Sequence, residues 1–158
     1  MVVRDVECLR NLKKKSNMNR EIKFRGKLEY NGKWIYGDLL QYENGDVAIF
    51  RDKLSSFGCE CTEMSKRDRV IPDTIGQYTG LTDKNGVKIF EGDIVKGVSH
   101  KSDSCISELI PFDVIGVVEY HKEYQTLEVR TRQAFLHIEV AIKGEVIGNI
   151  HDNPELMK

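Results

Sequence analysis

Residues 71–95 constrain the fold more than any other part of the chain. Within them Gly76, Gly80, Gly86 and Gly92 recur every few residues. Between these glycines lie β-branched and aromatic runs: Thr74–Thr79, Val87–Phe90 and Ile94–Val95. No run is long enough for an isolated helix, and residues of this kind fit pleated, half-buried strands. Pro72 biases Ile71 towards extended geometry. Asp83-Lys84-Asn85-Gly86 and Glu91-Gly92-Asp93 read as turns, with acids whose side chains bond nearby backbone. The stretch therefore predicts short strands joined by tight turns.

The remainder of the chain extends this pattern. Ile22, Phe24, Leu28 and Tyr30 share one parity, and Glu21, Lys23, Arg25, Lys27 and Glu29 the other, as in a half-buried strand with Gly26 at a bulge or close approach. Asn31-Gly32 predicts a type I′ hairpin returning through Lys33–Leu40. Glu43–Asp46 is a second turn, leading into Val47–Phe50, so three strands form a meander. Residues 51–70 and 97–111 are polar and read as variable loops, the first with room for one more strand. Later strands are expected at Phe112–Tyr120, Tyr124–Arg130 and Glu145–Ile150. Ala134–Ile138 is either a helical turn or a strand. Asn153-Pro154 opens a short helical tail, with Asn153 as N-cap and Pro154 at the first helical position. Residues 1–17 read as an N-terminal extension, 18–70 as the meander with its loop, and 71–158 as the main β region.

Composition narrows the function classes. A chain of 158 residues with 40% hydrophobic and 31% charged residues is globular and soluble in type. No apolar run approaches the roughly 20 residues needed to cross a bilayer, and the first residues carry no secretory signal. The expected location is the cytoplasm, with no membrane partner. Cys8, Cys59, Cys61 and Cys105 are then expected as reduced thiols. Cys59-Glu60-Cys61, even with Cys105 and His100, lacks a standard zinc spacing. The net charge of −1 hides an asymmetry. Residues 10–27 hold Arg10, Lys13, Lys14, Lys15, Arg20, Lys23, Arg25 and Lys27 against Glu21 alone, which points to a charged partner.

Five separated motifs carry a resemblance. They are Arg20–Lys27, Thr74–Leu81, Asp83–Gly86, Ile89–Val95 and Val146–Ile150. In that order they resemble the YopX family, small proteins carried by bacteriophages and by prophages in bacterial genomes. The resemblance spans Met18 to Lys158. It implies a mostly β fold: an SH3-type small β-barrel over 71–158, an added N-terminal β-meander and a short helical tail. It gives structural weight to Gly76, Gln77, Tyr78, Gly80, Asn85, Gly86, Glu91, Gly92, Asp93 and Gly148. It implies no reaction, cofactor or catalytic residue.

The residues offer three functional readings. The first is binding to a protein, either a partner or a second copy, through exposed strand edges. The second is nucleic-acid binding through Lys13, Lys14, Lys15, Arg20, Lys23, Arg25 and Trp34, which combines phosphate contacts with base stacking. The third is a hydrolase using Asp83, Glu91 and Asp93, with Asp73 nearby, which requires those carboxylates to converge. His100, His121, His137 and His151 are scattered without metal spacing. Of the three, binding without catalysis fits best, with no cofactor, and a site is expected on the basic strand and hairpin before residue 71.

Overall fold

The computed structural model describes residues 21–51, 67–102 and 109–158. The chain is mostly β. Its strands are β1 (Phe24–Lys27), β2 (Trp34–Gln41), β3 (Val47–Phe50), β4 (Arg67–Arg69), β5 (Gly76–Thr82), β6 (Lys88–Phe90), β7 (Asp93–Ser102), β8 (Leu109–His121), β9 (Thr126–Arg130), β10 (Phe135–His137) and β11 (Glu145–Asn149). One short helix, α1 (Glu139–Lys143), precedes β11, and 3-10 turns span Pro72–Thr74 and Pro154–Met157. No helix among the described residues is long and apolar enough to cross a membrane.

The strands form two antiparallel sheets, ordered β4-β3-β2-β1-β5-β6 and β10-β9-β8-β7-β11. Neither sheet closes on itself among the described residues. Because β1 pairs with both β2 and β5, the meander and the stretch after Ile71 share one sheet.

The parity read from sequence holds at Phe24 and Leu28, while Ile22 and Tyr30, of the same parity, lie outside β1 and are exposed. Leu28, Ile35, Ile49 and Val70 form the buried cluster of the first sheet, with Phe24, Leu39 and Ile75 against it. The second cluster contains Ile89, Val95, Val114, Val118 and Val129, closed at one end by Val140 and Ala141 of α1. Each fully buried Val or Ile contributes roughly 1.5–3 kcal/mol relative to exposure. Strand β6 supplies Ile89 to this second cluster, so the edge of the first sheet packs on the second.

Several local expectations are corrected. The first hairpin turns over Glu29–Gly32, and only Gly32 has positive φ, at 66°. A type I′ turn needs both central residues there. Asn31 instead keeps negative φ and accepts the Lys33 amide on Oδ1 at 3.0 Å. The polar run 97–102 is strand, because β7 and β8 continue as a paired ribbon to Ser102 and Leu109. Beyond the core the ribbon exposes Val98, Leu109 and Phe112, so burial imposes no alternation for the eye to find. Residues 135–137 are strand. Asn153 makes no side-chain cap; its backbone carbonyl accepts from Leu156.

Gly37 shows why one position in β2 tolerates no side chain. An added Cβ would lie closer than 3.0 Å to the Phe50 carbonyl oxygen and the Ile49 side chain. Gly37→Ala must push β3 away from β2, an overpacking cost of about 1–3 kcal/mol. Urea unfolding checks this, and an unchanged midpoint would refute the steric account.

Candidate binding groove between the two sheets

The face of the first sheet opposite its apolar cluster carries the basic strand. Arg25 lies opposite Tyr36, and Lys27 opposite Trp34, so these four side chains share that face. Strand β5 adds Tyr78, paired with Phe90 of β6. The expected basic hairpin and the glycine-rich stretch therefore meet in one place rather than standing apart.

Arg25 is the centre of this face, and it is buried at 6% exposure. Its Nη1 is 2.5 Å from Oδ1 of Asp93, itself 2% exposed, and its Nη2 donates to the Glu91 carbonyl at 3.0 Å. The guanidinium lies 4.8 Å from the Trp34 ring centre and 5.1 Å from that of Phe90. Asp93 also accepts the Phe90 amide at 2.7 Å. Burial pushes the Asp93 carboxyl above its usual range, and Arg25 and that amide pull against the rise.

The family motif residues build this cage. A Cβ on Gly76 would meet the Glu91 carbonyl closer than 3.0 Å, so only glycine lets β5 approach there. The Gln77 amide donates to the Glu91 carboxylate at 3.2 Å. Gly92 turns at φ 82°, donates to Val118 and accepts from Ile150, which joins both sheets and the tail. Gly80 sits at φ 84° in the irregular pairing between Tyr78 and Thr82. Asn85 and Gly86 form the turn around Asp83, and Gly148 lies at the register shift of β11, against Asn153.

Trp34 is half-buried and held by the tail. Its Nε1 donates to Asp152 at 2.6 Å, and Lys27 both pairs with Asp152 and sits 5.4 Å from the Trp34 ring centre. Hydrogen bonds from Asn149, Lys27 and Trp34 hold the Asp152 carboxyl far below its usual range. Burial lowers the His151 imidazole, and the Lys27 and Arg25 charges add to that effect. Sequence reading missed Asp152 and Asn149 as members of this face. A single Trp in a strand of alternating pattern needs a partner for its N–H, and that was the available signal.

The three carboxylates of the hydrolase reading are held separately. Asp83 accepts backbone amides, Glu91 meets Gln77, and Asp93 pairs with Arg25. Asp93 borders one groove and Glu91 another, while Asp83 lines neither. Of the nucleic-acid set, Lys13, Lys14, Lys15 and Arg20 lie outside the described residues, as do Cys8, Cys59, Cys61 and Cys105. Arg25 is spent internally and Trp34 is tied to Asp152, which leaves Lys23 accessible.

A groove of about 420 Å³ opens where the two sheets come together. Lys88 and Phe90 of β6 border one side, and Val146 and Asn149 of β11 the other, with Lys23 and Tyr36 between. Among the described residues both bordering strands end their sheets, so each has one neighbouring strand. Tyr36 and Phe90 form a tilted pair at 5.5 Å, and Lys88 lies 5.0 Å from the Tyr78 ring centre.

A family model described as YopX protein matches residues 23–158. The crystal structure of protein EF1440 from Enterococcus faecalis is similar over 88% of this chain and 99% of that one, at 24% identity and a TM-score of 0.49. No curated protein matches the chain.

Proposed function

The chain belongs to the YopX family, and from that premise and the groove geometry we propose that it acts by binding a protein segment, without catalysis. The observation carrying this reading is that β6 and β11, each the last strand of its sheet among the described residues, border one groove with aromatic walls; their Phe90 and Val146 amides are held by Asp93 and Asp83, so a segment pairs with the other backbone groups. An unpaired edge offers a row of backbone donors and acceptors, and an extended segment satisfies them by strand addition. The segment comes from a partner protein or a second copy of the chain. The setting implied by the resemblance, a phage or prophage accessory protein in the bacterial cytoplasm, belongs to this proposal.

The SH3-type barrel belongs to it as well. We place it in β5–β11, supported by the core that β6 shares with β7, β8 and β9 and by the Gly92 bonds to Val118 and Ile150. The seam of that barrel is the groove itself.

The nucleic-acid alternative draws less support. On this face Lys23, Arg25, Lys27 and Lys88 are matched by Glu21, Asp93 and Asp152. Affinity purification from phage-infected cells, with and without nuclease, separates the two. A protein that co-purifies after nuclease treatment supports strand addition. Retention on oligonucleotides that falls steeply with salt, with no such protein, overturns it.

A further inference from the structure

Two lysines that line the groove are paired with a carboxylate supplied by the chain itself. Glu21 precedes β1 and takes no part in the strand ladder. Its Oε2 lies 2.5 Å from Lys88 Nζ, and its Oε1 3.8 Å from Lys23 Nζ. Lys23 precedes β1 and Lys88 belongs to β6, and the two converge on a single carboxylate at the groove rim. Lys88 is placed by its stacking over Tyr78. All three side chains are substantially exposed, so the carboxylate can be exchanged without opening the core.

Resting on the strand-addition reading, we propose that the partner segment is acidic: it presents a carboxylate to Lys23 and Lys88, in the position Glu21 occupies in the free protein. Along an extended segment, residues two apart point to the same side. A carboxylate at the lysine pair then sets the residue two positions on against Tyr36 and Phe90, where an apolar side chain fits. The recognised pattern is an acid followed two residues on by an apolar residue, both on the face turned to the groove. Glu21 acts as a placeholder, keeping the lysines neutralised and lowering apparent affinity until a better-anchored carboxylate displaces it. The lowered Glu21 pKa, from its Lys88 hydrogen bond first, is consistent with a site preorganised for an anion.

The test uses the full chain and three fluorescent, end-blocked heptapeptides, followed by polarisation. Each carries valine at position five and threonine elsewhere, save at position three. One has glutamate at position three, two residues before the valine and on its face, and the others have glutamine or lysine there. The glutamate peptide is expected to bind about five- to tenfold more tightly than the glutamine peptide, as two partly exposed ion pairs allow. Lys23→Ala with Lys88→Ala removes that preference, so the glutamate and glutamine peptides bind alike. Glu21→Gln tightens the glutamate peptide a few-fold. Equal binding of glutamate and lysine peptides overturns the acidic preference while strand addition stands. Binding of none of the three, by wild type or by Glu21→Gln, overturns both. Tighter binding of a thymidine dodecamer that depends on the same lysines also overturns the proposal, since the pair then serves phosphate. Circular dichroism of each variant confirms that the fold is retained.

Discussion

Replacing Arg25 with methionine is expected to lower stability by about 3–5 kcal/mol, because it leaves the Asp93 carboxylate buried without its counter-charge. Methionine keeps much of the stem that lies between Trp34 and Phe90, so lost packing contributes less than lost charge. The Glu91 carbonyl loses its donor in the same step. Removing both ends, with Arg25→Met and Asp93→Leu together, is expected to cost much less than the sum, since no uncompensated charge then remains inside. Urea unfolding of the two single variants and the double variant closes the cycle. Additive losses would show that the pair is not coupled.

The pH dependence of the Arg25→Met deficit follows from Asp93. Its carboxyl is raised in the folded protein, by burial first, and losing Arg25 raises it further. A carboxyl raised on folding favours the protonated folded state, so stability falls as pH climbs from the ordinary carboxylate value through the raised one. The deficit is therefore largest near neutrality and shrinks towards acid.

Arg25 also marks where sequence alone stops being informative. Its parity with Lys23, Lys27 and Glu29 is that of a solvated strand face, and within β1 the parity is correct: Arg25 and Lys27 share one side, with Lys23 on the same groove as Arg25, while Glu29 falls in the turn. What parity cannot supply is what covers that side. Here β6, the Gly92 turn and the tail fold over Arg25 and Trp34 and turn one part of a polar face into an interior. The turn signals transferred well, because a glycine or aspartate at a turn acts through its nearest neighbours. Asp83, Gly86 and Gly92 all sit where local chemistry predicts. Contacts such as Arg25 with Asp93, or Trp34 with Asp152, join residues 68 and 118 positions apart, and no local period encodes them. The groove was invisible for the same reason, since it needs the relative placement of two sheet edges.

Asp83 supplies the second large effect, and it acts on one end of that groove. Its Oδ1 accepts the Asn85 and Val87 amides at 2.8 and 2.9 Å, and its Oδ2 accepts the Val146 amide of β11 at 3.0 Å. The Lys84 amide donates to the Gly144 carbonyl, and Lys84 pairs with Glu145 at 3.0 Å, so the turn after β5 is fastened to the start of β11. Asp83→Ala strands three amides around a 5% exposed position and is expected to cost about 3 kcal/mol or more. Asp83→Asn can keep the two turn bonds on its oxygen but points an NH2 at the Val146 amide, for about half that loss. Burial alone would raise the Asp83 carboxyl, yet the Val146, Val87 and Asn85 amides and the Lys84 charge outweigh it and hold it low. With its folded pKa depressed, the stability it contributes is fully present above the ordinary carboxylate value. That contribution is lost as pH falls through the folded value. Urea unfolding across a pH series should show wild-type stability dropping on the acid side and Asp83→Ala changing less there. A parallel acid dependence in both proteins would assign the drop to other carboxylates. Because β11 borders the groove, Asp83→Asn should also weaken the glutamate peptide with Lys23 and Lys88 intact, which separates shaping the groove from supplying its charge.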